Sequence, residues 1–393
     1  MNSIFRIGPI KQINRNNRLW QVNLTLISDY DPDLHALTER IHNEMYPEKK
    51  GWDRLGHLLI QLGQFNKAYE VYDILLDRTK TDKEKAHLYH MLGTVKDSQG
   101  EYKNAIGYYQ QSIEIEQKLL PPTDANLATS HNNIGFVYDR MGDYSNALSY
   151  HQKALDIKQK TLPSNHIDLA TSYNNIASVY YNLGDYSNTL SNHRKALEIY
   201  QKTLSSNHPA LAYSYNNVGC IYNKMSDYSN AFSSHQRAIE IRQKTLPSNH
   251  PDLAQSYNNI GLVYDNIGDY PNALSSYKKA LEIWQKILPS NHPDLATFYN
   301  NIGSVYDNMD DYSNALLSHQ KALEICKEAL PSKHPDLAYS YNNIGTVYCC
   351  MGDHSKALSF LEKALAIFQN SLPPTHPHIK TLIDNINYVK KKL

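Results

Sequence analysis

The 393-residue chain has no excess of either charge: 39 Lys and Arg face 39 Asp and Glu, a formal net charge of zero. A general nucleic-acid or anionic-membrane binder needs an electrostatic footprint that this balance does not supply. Long apolar runs are missing too, which excludes a membrane-spanning helix. The opening MNSIFRIGPI has no apolar core of the kind a secretory signal needs. Cysteine is scarce, and Cys220, Cys326, Cys349 and Cys350 show neither CxxC spacing nor a disulfide framework. The expectation is therefore reduced thiols in a cytoplasmic protein. Trp and Phe number only 3 and 7, against 31 Tyr. One aromatic type so over-represented points to a unit copied many times.

Ala128, Ala170, Ala212, Ala254, Ala296 and Ala338 each lead a block such as LATSYNNIASVYYNLGDYSN, and the blocks recur every 42 residues. Ala86 begins an earlier, more divergent block, and a shorter one starts near Lys49 with Trp52, Leu55, Gly56, Gly63, Phe65, Ala68 and Tyr72. Each block predicts two helices. Tyr173, Ile176, Ala177 and Tyr180 fall at i, i+3, i+4 and i+7, the spacing of one helical face. Leu183-Gly184-Asp185 breaks that pattern, with Gly184 placed to end the helix in the left-handed conformation. A second periodic stretch runs from Tyr186 through Leu190, His193, Ala196 and Leu197, and an LPSNHPD segment closes the following block. Small residues at 135, 177, 219, 261, 303 and 345 are expected to let the paired helices approach closely, with Ala147, Ala231, Ala273 and Ala315 on the partner helix.

The spacing aromatic-x-x-[LI]-[GA]-x-x-Y, then Gly, aromatic, Ala, aromatic or His, Ala, resembles the tetratricopeptide repeat. The match covers residues 49–379, and the 42-residue length, the NNI signature and the LPxxHPD loop resemble its kinesin light chain-like type; polarity adaptors with asparagine-lined grooves look similar. The resemblance implies an all-α fold, a right-handed α-α superhelix of eight repeats: 49–85, 86–127, 128–169, 170–211, 212–253, 254–295, 296–337 and 338–379. A capping helix over 380–393 would close it. A helix pair cannot bury its apolar face alone, so such repeats stack on their neighbours.

In solenoids of this kind the first helix of each pair lines the concave surface. The stripe opposite Tyr173 and Tyr180 carries an asparagine in six blocks: Asn133, Asn175, Asn217, Asn259, Asn301 and Asn343. Two turns further along lie Arg140, Asn182, Lys224, Asn266 and Asn308. An amide offers donors and an acceptor to both N–H and C=O of an extended peptide. Peptide-binding members of the resembled family carry asparagine at the matching position, so the expected function is a non-enzymatic scaffold that holds a partner's peptide in this groove. The alternative is that these amides bond to neighbouring helices and hold the stack; for the preceding Asn132, Asn174, Asn216, Asn258, Asn300 and Asn342, rotated by about 100°, stack bonding is the primary expectation. Asp97, Asp139, Asp265 and Asp307 edge the stripe, so a neutral or basic peptide is the expected ligand. Kinesin light chains use clustered Lys or Arg here and carry a heptad coiled coil ahead of the repeats; neither is present, which argues against a kinesin heavy chain as partner.

Other signals have plainer readings. His151, His193, His235 and His319 lie one helix pair apart and are expected to pack rather than bind one metal ion. His166, His208, His250, His292, His334 and His376 sit in the inter-repeat loop as expected local caps. Tyr138, Tyr180, Tyr222, Tyr264, Tyr306 and Tyr348 are expected in the core. Lys195–Glu198, Arg237–Glu240, Lys279–Glu282 and Lys321–Glu324 are expected surface pairs. There is no Walker loop, GxGxxG, HExxH or GxSxG, so neither an enzyme nor a cofactor is expected.

Residues 1–48 differ in kind. SIFRIGPIKQI and RLWQVNLTLIS flank a turn-prone Asn14-Arg15-Asn16-Asn17 and predict a β-hairpin, with a short helix over 34–45. The pattern is similar to the closing strands of arginine-type mono-ADP-ribosyltransferase domains, which implies as an alternative the repeat-bearing tail of such a transferase. A cap on the first repeat, or a structural, self-associating solenoid, are further readings.

Overall fold

Each block carries its own start and stop signals, and a computed structural model shows what they produce. It describes residues 51–373 and 376–393 in full, together with the backbone of a few short strands ahead of them: Ile4–Ile7 antiparallel to Leu24–Ile27, and Lys11–Gln12 to Trp20–Gln21. The short helix expected over 34–45 lies outside the described residues, and from residue 51 the described chain is all-helical.

The chain divides into two units, 1–157 and 158–393. The first contains α1 (Gly51–Gln61), α2 (Phe65–Arg78), α3 (Asp82–Ser98), α4 (Tyr102–Leu119), α5 (Ala125–Arg140) and most of α6 (Tyr144–Thr161). The second holds α7 (Ile167–Asn182), α8 (Tyr186–Thr203), α9 (Pro209–Lys224), α10 (Tyr228–Thr245), α11 (Pro251–Asn266) and α12 (Tyr270–Gln285). It continues through α13 (Pro293–Asn308), α14 (Tyr312–Ala329), α15 (Pro335–Cys350), α16 (His354–Ser371) and the closing α17 (Pro377–Lys390). Within each unit a helix packs mainly on its sequence neighbours, the pattern of a stacked repeat.

Capping explains why the helices begin where they do. The loop histidines are N-caps: Nδ1 of His166, His208, His250, His292, His334 and His376 accepts the backbone N–H two residues on, at 3.1–3.3 Å. Pro209, Pro251, Pro293, Pro335 and Pro377 follow at the first helical position, where a missing N–H leaves nothing unsatisfied. From α6 onward the second helices start at an aspartate, as where Asp185 Oδ1 accepts Asn188 N–H at 3.0 Å.

The turn between paired helices needs one left-handed residue. Gly184 supplies it at φ 76°, but the same place is held by Ser226 at φ 59° and Asp310 at φ 58°. A Cβ in this conformation costs about 1–2 kcal/mol. Ser226→Gly is therefore expected to raise stability by about 1 kcal/mol, less the extra chain entropy of glycine. Urea midpoints check it, and an unchanged or lower midpoint counts against the strain.

The paired helices meet at the expected small residues, and the contact is closer than ordinary packing. A Cβ placed on Gly135, Gly219 or Gly303 would lie 2.6–2.8 Å from the ring of His151, His235 or His319. Gly261 receives Tyr277 and Gly345 receives Leu361 in the same way. His151, His235 and His319 are each 1 % exposed, so they are packing residues. Opposite Ala177, which does carry a Cβ, His193 is only half-buried. Ala147, Ala231, Ala273 and Ala315 are fully buried beside these contacts.

Two expectations about the surface need correction. Of the four Lys/Arg–Glu pairs, Arg237–Glu240 and Lys321–Glu324 form, at 2.8 and 2.6 Å. The ammonium groups of Lys195 and Lys279 instead lie over the rings of Tyr173 and Tyr257, and Glu198 pairs with Lys202. An aromatic face within reach holds a lysine about as well as an exposed carboxylate does. The tyrosines expected in the core are half-buried except Tyr222, which is 6 % exposed, because their hydroxyl ends reach the surface.

Candidate functional site

Two adjacent asparagines on a helix point about 100° apart, and the structure gives them different neighbours. The first of each pair faces the partner helix of its own block. His151, His193, His235 and His319 donate from Nδ1 to Oδ1 of Asn132, Asn174, Asn216 and Asn300, at 2.9–3.2 Å. The second asparagine faces the preceding block. Asn259 Nδ2 donates to Asn216 Oδ1 at 2.8 Å, and Asn301 Nδ2 to Asn258 Oδ1 at 3.1 Å. Gln255 donates in turn to Asn259 Oδ1 at 2.9 Å. Two turns along, Asn266 reaches Asn223 at 3.0 Å and Asn308 reaches Asp265 at 3.1 Å.

The same rungs occur in the first unit. Asn133 Nδ2 meets His90 Nε2 at 3.2 Å, and His90 Nδ1 meets Ser130 Oγ at 3.1 Å. Ser130 donates to Glu116, whose carboxyl is raised above the usual range by burial. Arg140 is ion-paired with Asp97. Burial outweighs that partner and still raises the Asp97 pKa. The guanidinium expected to face a ligand is thus already matched by a carboxylate. All six of these rungs join residues 43 positions apart, one block plus one residue.

The ladder has gaps. Asn217 and Asn343 are half-buried on α9 and α15, and their amides make no hydrogen bond among the described residues. In both blocks the residue one turn earlier is an exposed tyrosine, Tyr213 at 58 % and Tyr339 at 38 %, where the bonded Asn133, Asn259 and Asn301 have Thr129, Gln255 and Thr297. Lys224 is exposed two turns beyond Asn217. Asn175 and Asn182 lie on the same face of α7, half-buried and exposed respectively. The structure therefore brings Asn133, Arg140, Asn259, Asn266, Asn301 and Asn308 into interhelical bonds and leaves Asn217 and Asn343 open. The polar chain from Asn133 through His90 and Ser130 to Glu116 and the acceptor role of Asn223 escaped the sequence reading. The 43-residue interval signals the Asn133–His90 and Asn266–Asn223 contacts, and not the Ser130 and Glu116 links.

Further chemistry is limited. Among the described residues no group of three or more His, Cys, Asp and Glu is placed to hold a metal ion, and no helix is long and apolar enough to cross a membrane. Burial raises the Cys220 and Cys326 thiols above their ordinary range, away from the reactive thiolate.

Models of the tetratricopeptide repeat match residues 84–160, 168–244, 221–286, 252–328 and 294–370, and another of that description matches 52–86. No curated protein matches the chain. Among solved structures, the apo form of RapI is similar at 15% identity, covering 87% of this chain and 97% of its own, with a TM-score of 0.57. A tetratricopeptide repeat protein from Parabacteroides merdae has 14% identity, 78% and 98% coverage and a TM-score of 0.53. Nearly identical TPR-like repeats from Podosopora anserina, named for kinesin light chain, share 22% identity over 53% of this chain and 99% of theirs, with a TM-score of 0.48. At these identities the likeness is one of fold.

Proposed function

The chain belongs to the tetratricopeptide repeat family, and from that premise we propose that it is a non-enzymatic scaffold holding an extended, neutral or basic peptide segment of a partner protein. The repeat fold is typical of protein-interaction scaffolds, and within the family the 42-residue blocks resemble the kinesin light chain-like type. In this reading residues 49–379 supply eight repeats and 380–393 close the stack.

The observation that carries the proposal is the pair of open amides. A half-buried carboxamide without a protein partner retains its full donor and acceptor capacity; Asn217 stands beside the exposed Tyr213, and Asn343 beside Tyr339, whose ring packs edge-on against Phe368 and His378. The bonded asparagines stitch helix to helix, so the peptide role concentrates on these two positions. Asp265 and Asp307, both half-buried on this face, favour a ligand without acidic groups. No observation on the described residues favours the transferase-tail reading.

Selection of extended peptides from a displayed library with the full chain, followed by titration of the enriched sequences, tests this. Asn217→Ala with Asn343→Ala is expected to weaken binding tenfold or more with the melting temperature unchanged. Asn259→Ala with Asn301→Ala is expected to lose about 1 kcal/mol of stability per lost rung. Undiminished binding to the Asn217/Asn343 variant would remove the proposal.

A further inference from the structure

From residue 141 onward the residue that ends each first helix is apolar and half-uncovered. In the second unit these are Leu183, Met225, Ile267, Met309 and Met351, each 42–51 % exposed, and Met141 repeats the feature in the first unit. The turn does not require them. Gln99 ends α3 with φ −80° and ψ −8°, nearly the geometry of Leu183 at −74° and −12°, and bonds there to Asn66 at 2.7 Å. A polar residue therefore serves the turn, and the apolar choice in the later blocks has no local cause.

Equivalent residues of stacked blocks stand in a row. The side-chain rungs between successive first helices put those helices at packing distance, about 10 Å between axes. Two residues after each apolar position comes the aspartate that caps the next helix: Asp185, Asp227, Asp269, Asp311 and Asp353. Hydrogen bonds to the carboxyls of Asp185 and Asp353 hold both below the usual range. Asp310 adds a carboxylate to the fourth turn, bonded by the Tyr312 hydroxyl at 2.7 Å. Lys224 stands on this edge, and Lys356 is paired with Asp353 at 2.8 Å. The edge is a ridge of adaptable, methionine-rich apolar side chains flanked by a row of half-buried capping carboxylates, of which Asp353 is matched by Lys356.

We propose that this turn edge of the second unit docks a basic amphipathic helix of a partner protein, on a surface separate from the asparagine face. Apolar groups about 10 Å apart match the rise of seven residues of helix, about 10 Å, so one apolar stripe meets successive ridge residues. Lysines or arginines beside that stripe meet the aspartates. Methionine accommodates differing apolar contours by changing rotamer, and the carboxylate row supplies charge complementarity and orientation.

The probe is a labelled helical peptide with leucine on one face and lysine on the others, titrated against the full chain; its counterpart carries glutamate in place of lysine. Expected are saturable binding of the lysine peptide, weakened at least tenfold by Met225→Gln with Ile267→Gln and Met309→Gln, and no binding of the glutamate peptide. Asp227→Asn with Asp269→Asn and Asp311→Asn keeps the caps, since asparagine caps about as well as aspartate; it is expected to weaken binding and flatten its salt dependence. Asn217→Ala with Asn343→Ala is expected to leave it unchanged, which separates this surface from the peptide groove. Binding unaffected by the glutamine substitutions, or equal binding of the two peptides, overturns the proposal. So does concentration-dependent self-association that the glutamine variant abolishes, because the occupant is then a second copy.

Discussion

Acidification from pH 6.5 to about 4 is expected to strip several kcal/mol from the second unit, through two imidazoles that fold in their neutral form. Burial lowers the pKa of His193 and of His235 from 6.5 to about 4, and the Arg242 cation adds to the effect at His235. Between those values the unfolded chain binds the proton and the folded chain does not. Stability from these groups is thus complete above pH 6.5 and is lost as pH falls towards 4. Each such shift corresponds to roughly 3 kcal/mol at most, less for the half-buried His193. Urea midpoints at about pH 7 and about pH 5 measure the loss, and amide exchange should place the opening around α8 and α10. His235→Tyr is the control, because Tyr277 already fills the same place against Gly261 at 1 % exposure. That variant should flatten the acid slope; a slope unchanged from wild type would show that the ring is not the titrating element.

Gly303→Val is expected to cost about 3 kcal/mol, the upper range for forcing atoms into a filled core. The added Cβ would sit 2.6 Å from His319 Cε1 and 2.8 Å from its nitrogens. The ring cannot retreat easily. It is 1 % exposed, and its nitrogens face Asn300 Oδ1 at 3.0 Å and Asp307 Oδ2 at 3.2 Å. The chain contains its own calibration in block 170–211, where Ala177 stands opposite the half-buried His193. One methyl is accommodated there by a ring further out, so Gly303→Ala should cost only about 1 kcal/mol. Adding His319→Ala to Gly303→Val makes room for the valine and should restore part of the loss. Thermal and urea unfolding of the four proteins form a double-mutant cycle. Additive effects of the two substitutions would mean that glycine and ring do not constrain one another.

Much of the local design is written in the chain. The 42-residue interval, the period of Tyr173, Ile176, Ala177 and Tyr180, and the prolines after the loop histidines specify helices and their ends through backbone chemistry within a few residues. Glycine opposite histidine is legible as well, since a missing Cβ makes room for a ring wherever two helices must meet.

The candidate site was legible only in part. The face bearing Asn133, Asn175, Asn217, Asn259, Asn301 and Asn343 follows from helical period alone, but not which of its amides are open. That depends on partners 43 residues away, on the rotation between neighbouring helices and on whether an acceptor is already engaged. Arg140 is matched by Asp97, and Lys195 prefers the Tyr173 ring to Glu198, for the same reason. Short-range geometry is a property of the segment, whereas the state of each polar group is a competition among neighbours that only the packed helices bring within hydrogen-bonding distance.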